Sequence, residues 1–272
     1  MTIYGLLSRL DAASFLGFRI WEFSFRSLGT EYGLTFLKDI VLRHPLKTLE
    51  GVLKYRSIFR EGRDHGDVTL LFEGSEDDLV ARLATARSQL LVAVGFCQKP
   101  LRPECPAGRA NHDCAFLDQL DLEHADGLVH PACLQCEIKR LGSGALLAGA
   151  SMHIMTSALD VARDVMIPSV DHGRFRSVLM CLCPYSVRAI ALPLIICGIE
   201  GFVIGYASGN CVDYEQWSLA DAGIKKERTT LSPSAHRRIL AMLKDLSGRR
   251  TKEKSRYVRF VHEGNIYMPV SP

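Results

Sequence analysis

No stretch of this chain is both long enough and apolar enough to cross a membrane. A span needs roughly 20 predominantly apolar residues. The most apolar region, 178–206, carries Arg188, Pro193 and Glu200 and is punctuated by Gly198, Gly201 and Gly205. Charges inside a span are costly, so buried strand, helix and strand are expected there instead. A secretory leader is missing too, because Arg9 and Asp11 interrupt the first apolar residues. Together these absences point to a cytoplasmic, reducing setting. There is no glycine-rich phosphate fingerprint: the glycines of 142–150 come without the Walker lysine and without a clear preceding strand. RNP, helix-turn-helix and zinc-finger spacings are also absent, so a nucleic-acid partner is not expected. No internal repeat longer than a strand–helix unit is visible.

What the chain does have is cysteine. Nine among 272 residues is a high and odd number, which argues against a framework of paired disulfides. A chain of this length builds its core without crosslinks, and clustered thiols in a reducing compartment serve as ligands or catalysts. Five of the nine fall between residues 97 and 136: Cys97, Cys105, Cys114, Cys133 and Cys136. Prolines and glycines break regular structure throughout that segment. Thiolate sets of this kind select iron–sulfur or zinc. The spacing matches neither the compact ferredoxin run nor the doubled Cys-x-x-Cys of a zinc ribbon. The expected cofactor is a [4Fe–4S] cluster, one or two per chain. Zinc with mixed ligands drawn from His112, His124 and His130 is the alternative, and a metal that only ties down a long loop is a further one.

The pattern around this segment is α/β. Residues 1–63 have apolar residues at helical spacing and form a helical N-terminal region. The core covers 64–220. Apolar runs at 67–73, 91–96, 151–155, 177–183 and 201–207 predict strands. Helical stretches between them, opened by Ser75, by Thr156 or Ser157 and near Tyr185, predict a parallel sheet with covering helices in Rossmann-like βαβ units. Pro168 is expected to close the second of these helices. The remainder, 221–272, predicts a helix from Ser232-Pro233, a basic linker and a terminal hairpin around Glu263-Gly264-Asn265.

In an open parallel sheet, ligands bind outside the carboxyl ends of the strands. Cys97 ends the 91–96 strand, Cys183 ends the 177–183 strand, and Cys211 lies in the loop after 201–207. Thr156 and Ser157 follow the 151–155 strand. Seven cysteines (97, 105, 114, 133, 136, 183 and 211) are therefore expected around one crevice. Cys183, Cys211 and His112 are the candidate catalytic residues, and Arg109 and Ser157 the candidate substrate contacts. Cys181 and Cys197 are expected to be plain buried residues. From Lys225 to Arg259 there are 12 Lys and Arg against three Asp and Glu, while the rest of the chain is net acidic. That basic segment suits an acidic redox partner.

Residues 97–217 resemble the domain of unknown function family 116. The matching pieces are Cys97, Cys-Pro-Ala at 105–107, CLQCEI at 133–138, MTSALDVARDV at 155–165, VLMCLCPYSVRAI at 178–190 and GNCVDYE at 209–215. The resemblance implies an iron–sulfur protein with an α/β core and supplies no reaction. Taken with the residues, it suggests an oxygen-sensitive oxidoreductase or lyase of anaerobic metabolism. Reduction, dehydration or sulfur removal on a small polar substrate is the chemistry expected. An electron-transfer or cluster-handling protein is the first alternative and a zinc-stabilised interaction module the second.

Overall fold

The computed structural model describes residues 18–60, 64–65, 67–72, 76–85, 89–124, 129–248 and 257–271. The expected helix before Phe18, the helix start at Ser75 and the basic linker 249–256 lie outside them. Three helices open the described chain: α1 (Phe18–Ser27), α2 (Glu31–Thr35) and α3 (Pro45–Arg60), with a π-helical turn, Phe36–Leu42, continuing α2. Thr30 caps α2 by accepting from the Gly33 amide at 3.2 Å. Pro45 starts α3, where its missing N–H costs nothing. Then follow β1 (Asp64–His65), β2 (Val68–Leu70), α4 (Glu76–Thr85) and β3 (Leu90–Gly95). The cysteine-rich segment holds two short helices, α5 (Ala115–Gln119) and α6 (Pro131–Leu134), and leads into α7 (Glu137–Ala148). Next come β4 (Ser151–Met155), α8 (Ala158–Val161), a π-helical turn Ala162–Met166 and α9 (Ile167–His172). The chain continues through β5 (Ser177–Leu182), α10 (Pro184–Ile196), β6 (Glu200–Gly205) and α11 (Tyr214–Asp221). It ends with α12 (Pro233–Gly248), β7 (Arg259–Glu263) and β8 (Ile266–Val270).

The strands form one eight-stranded sheet in the order β1-β2-β6-β5-β3-β4-β8-β7. Its centre, β6-β5-β3-β4, is parallel throughout. The flanking strands are antiparallel, so the 67–73 run is not part of the parallel set, and the C-terminal hairpin extends the sheet at β4. The four parallel strands are buried on both faces, which is why they read as continuous apolar runs. Leu90, Val92 and Val94 point to one face, against Leu141 and Leu146 of α7 and Ile239 and Leu243 of α12. Leu91 and Ala93 point to the other, against Val165 and Val170 beyond β4, Ile190 and Leu194 of α10, and Tyr55 and Ile58 of α3. The α12 contacts follow a helical stripe, Ala235, Ile239, Met242, Leu243 and Leu246.

Pro168 does not close its helix. The π-helical turn ahead of it widens the backbone, Pro168 falls in the first turn of α9, and the helix ends at Gly173 with φ 68°. Among the described residues no helix is long and apolar enough to cross a membrane.

The strand order positions the site. From β3 the chain passes to β4 on one side, then crosses back to β5 and β6 on the other. The helix after β3 covers one face and the helices after β4 and β5 cover the other. Connections that part in this way leave a crevice at the carboxyl ends of the strands where they separate. Here those are the ends of β3 and β5.

Candidate functional site: two groups of thiols

A cavity of about 100 Å³ occupies that crevice. Gly95, Phe96 and Cys97 line it from β3, Met155, Thr156 and Ser157 from β4, and Cys181, Leu182 and Cys183 from β5. Tyr206, Cys211, Trp217, Asp221 and Lys225 close it from the chain beyond β6. The register explains the convergence. Gly95 pairs with Met155, and Leu182 with Gly205, so all four strands end at one level. Gly95 is required there. A Cβ at that position would sit 2.8 Å from the Cys97 sulfur and 3.1 Å from the Tyr206 hydroxyl. The Gly95 amide donates to that hydroxyl at 2.9 Å.

The seven cysteines expected around one crevice divide into two groups. Cys97, Cys183 and Cys211 line the cavity, and all three are buried. Thr229 Oγ1 donates to Cys97 Sγ at 3.1 Å, the Cys211 amide donates to Cys183 Sγ at 3.3 Å, and Lys225 Nζ donates to Cys211 Sγ at 3.4 Å. The bond from the Cys183 thiol, with the Lys225 ammonium, pulls Cys211 down to about 6. That same bond and burial push Cys183 up, so Cys211 is the thiolate of the pair. Burial also pushes Cys97 up, against the Thr229 hydrogen bond and the charges of Lys225 and Arg109. Cys181 lies deeper on β5 and Cys197 at the end of α10; both are buried and pushed up by desolvation, as packed thiols are.

Cys105, Cys114, Cys133 and Cys136 form the second group, with Cys114 and Cys133 each within electrostatic reach of Cys105 and Cys136. Cys114 and Cys136 stand at the N-cap positions of α5 and α7. The helix-start amides favour their thiolates, while burial raises all three buried members, Cys114 to about 12. The Cys114 amide donates to Tyr267 Oη at 2.7 Å, tying this loop to β8. Lys99 is buried beside the group, 1% exposed, with its ammonium donating to the Asn111 carbonyl at 2.9 Å. Desolvation lowers Lys99, and the thiols of Cys105, Cys114 and Cys136 oppose that.

The loop 224–231, expected only as part of a basic surface, lies between the two groups. Arg109 donates to the carbonyls of Lys225 and Glu227, and more weakly to that of Cys97 at 3.4 Å. It therefore staples this loop and does not line the cavity. Arg228 donates to the carbonyls of Gln98 and Gln135, both at 3.1 Å. Lys225 and Arg228 are thus turned inward and do not contribute to an outer basic face.

Ser157 lines the cavity and also caps α8 by accepting from the Asp160 amide at 3.1 Å. His112 stands behind the cavity wall. Its Nδ1 lies 2.8 Å from the Ile154 carbonyl and its Nε2 3.2 Å from Thr156 Oγ1, which in turn donates to Asp160. The His112 ring stacks on His153, which is 0% exposed and lowered to about 3 by burial and by His112. Asp221 accepts from the Ala158 amide at 2.6 Å, and burial with the nearby Asp160 carboxylate raises it to about 6. Asp221, Lys225, Thr229 and Tyr206 were not legible as site residues, since tertiary packing alone brings them to the strand ends.

Among the described residues no three cysteine sulfurs lie within 4.8 Å of one another. A tetrahedral zinc site, with Zn–S bonds near 2.3 Å, holds its sulfurs about 3.8 Å apart. Among the described residues the one compact set of mixed ligand atoms is the trio Asp121, Glu123 and His124, of which Asp121 and His124 line a second cavity with His130 and Cys133. No family model, curated protein or solved structure matches this chain.

Proposed function

We propose that this chain is an iron–sulfur enzyme. Cys105, Cys114, Cys133 and Cys136 hold a [4Fe–4S] cluster, and the thiol-lined cavity at the β3 and β5 ends takes a small substrate for reduction, dehydration or sulfur removal. One observation carries the reading: the thiols of Cys105, Cys114 and Cys136 act on the buried Lys99, and Cys133 lies within reach of Cys105 and Cys136, with no disulfide among the four. Four thiolates around a [4Fe–4S] core leave a net negative charge. The Lys99 ammonium, nearly out of reach of solvent, offsets it, and Asn111 fixes its direction. Without metal the three buried thiols are neutral, so loading the site releases protons. When bound, the cluster supplies electrons to the neighbouring cavity.

The chain's own residues do the rest. Thr156, Ser157 and Asp221 supply polar groups to the cavity lining, and Val161, Ile190 and Trp217 supply apolar ones. Asp221, titrating near neutrality, holds or gives up a proton at its carboxylate. The Cys183 thiol and the Lys225 ammonium keep Cys211 ionised in the cavity wall, where the simplest role is nucleophile.

The test is iron, acid-labile sulfide and zinc content on anaerobically purified protein, with its visible spectrum. At least about four irons and four sulfides per chain, with absorption bleached by dithionite, is the expected result. One zinc and no sulfide would overturn it and leave a zinc-stabilised module.

A further inference from the structure

Resting on that iron–sulfur reading, we infer that Cys97, Cys183 and Cys211 are a second cluster site. It is a three-thiolate seat for a [4Fe–4S] cluster whose fourth iron has no protein ligand and faces the cavity. Such an iron takes a small oxygen- or sulfur-donor ligand, and here it would do so against Thr156, Ser157 and Asp221.

Four independent features point there. The first is topology. The three cysteines follow β3, β5 and β6, which are successive neighbours in the sheet. Parallel strands lie about 4.8 Å apart, so their ends bring the three thiols to one cavity. The second is the donor set. Each of the three sulfurs accepts a hydrogen bond from the protein: Cys97 from the Thr229 hydroxyl, Cys183 from the Cys211 amide, and Cys211 from the Lys225 ammonium and the Cys183 thiol. Hydrogen bonds to sulfur orient and tune ligating thiolates.

The third is charge. Three thiolates on a [4Fe–4S] core carry a net negative charge, and Lys225 and Arg109 supply positive charge at the Cys97 and Cys211 ends. The fourth is the open side. Cys181, the remaining cysteine in the cavity wall, sits within β5 and is buried with Leu179 and Phe202 in the core. The space before the three sulfurs is the cavity. Ligation replaces the nucleophile role for Cys211, and it explains why Cys97 stands apart from the four other cysteines of its own segment.

Three proteins decide the matter when purified anaerobically: wild type, Cys97→Ala/Cys211→Ala, and Cys105→Ser/Cys133→Ser. Iron and sulfide are counted, and electron paramagnetic resonance is recorded after mild ferricyanide oxidation. An iron without a protein ligand is the one lost on oxidation, which leaves a three-iron cluster signal. The expected result is about eight irons in wild type and about four in each variant. The three-iron signal should appear in wild type and in the loop variant and be missing from the cavity variant. About four irons in wild type, unchanged by the cavity substitutions and lost with the loop substitutions, would overturn the second site while leaving the proposed function intact. About four irons lost only with the cavity substitutions would uphold this site and overturn the loop ligands. No sulfide in wild type overturns both. Should a variant not be recovered folded, the wild-type iron count and the three-iron signal still decide, since a chain with only a four-cysteine cluster gives about four irons and resists that loss.

Discussion

Replacing Asp221 with Asn should make the protein more stable at neutral pH, and by an amount that depends on pH in a stated way. Asp221 is half-buried at the cavity edge, and burial together with the Asp160 carboxylate raises its carboxyl from 3.8 to about 6. An acid with a raised folded-state value binds its proton more tightly folded than unfolded. Its contribution to stability is therefore greatest below pH 3.8. It falls as pH rises between 3.8 and about 6, and above that the folded state carries the full cost of the charge. A shift of about two units corresponds to about 3 kcal/mol. Asn keeps an oxygen for the Ala158 amide, which Asp221 Oδ1 accepts at 2.6 Å, but it carries no charge. The expected difference, variant minus wild type, is near zero at pH 4 and climbs to about 2–3 kcal/mol at pH 7.5. Urea unfolding of both proteins at half-unit pH intervals measures it. Taking the difference cancels His153 and every other group that titrates in both. A difference that stays flat across this range, or a variant less stable at pH 7.5, would refute the reasoning. A carboxylate kept in a cavity wall at that cost to stability is itself a mark of use.

Further outcomes follow from single sites. Gly201→Ala should cost more than about 3 kcal/mol in urea unfolding. Gly201 has φ 138°, and an added Cβ would meet the Val178 carbonyl at 2.0 Å, between two central parallel strands. A cost under about 1 kcal/mol would show that β5 and β6 separate easily. Leu46→Ser, Leu49→Ser and Leu53→Ser should each change stability by less than about 0.5 kcal/mol, because these α3 side chains face outward, Leu46 being 75% exposed. Leu243→Ala, on the buried face of α12, should cost about 2–5 kcal/mol in the same assay. Under the proposed function, Lys99→Met should make a cluster held by the loop cysteines harder to reduce, by on the order of 1–2 kcal/mol, since a buried cation beside it favours the added electron; an unchanged midpoint in a redox titration would remove Lys99 from the site.

The parallel centre of the sheet was legible because strands buried on both faces are written as unbroken apolar runs, as in Leu90–Gly95 and Ser177–Leu182. The terminal hairpin was legible from its turn, and Gly264 there has φ 61°. The direction of the 67–73 strand was not, because a three-residue strand carries no pattern that distinguishes its partner's direction. Pro168 misled because a proline usually ends a helix, and nothing local announces the π-helical turn that accommodates it. The inward turn of Lys225 and Arg228 was hidden inside a count of basic residues. Their partners are a sulfur and the backbone carbonyls of Gln98 and Gln135, all distant in sequence.

Cys97 shows what decides between two signals in one residue. By spacing it belongs with the four cysteines that follow it. By position it belongs to a strand end, two residues past the Gly95–Met155 pair. Strand ends are fixed by the sheet, whereas a loop with this many prolines and glycines is free to leave, and the loop does leave: from Lys99 it turns away to Cys105, Cys114, Cys133 and Cys136. The Cys97 carbonyl and sulfur are then both taken by Thr229, whose amide donates at 3.0 Å and whose hydroxyl donates at 3.1 Å. Thr229→Val should therefore act on the cavity group alone. It removes one hydrogen bond at a buried sulfur, worth about 1–3 kcal/mol, and leaves the loop cysteines untouched. Under the two-cluster reading the variant loses iron from the cavity site first on exposure to air, while the loop site keeps its own. Equal loss from both sites would mean that the two thiol groups are one structural unit, and the division drawn from their geometry would fail.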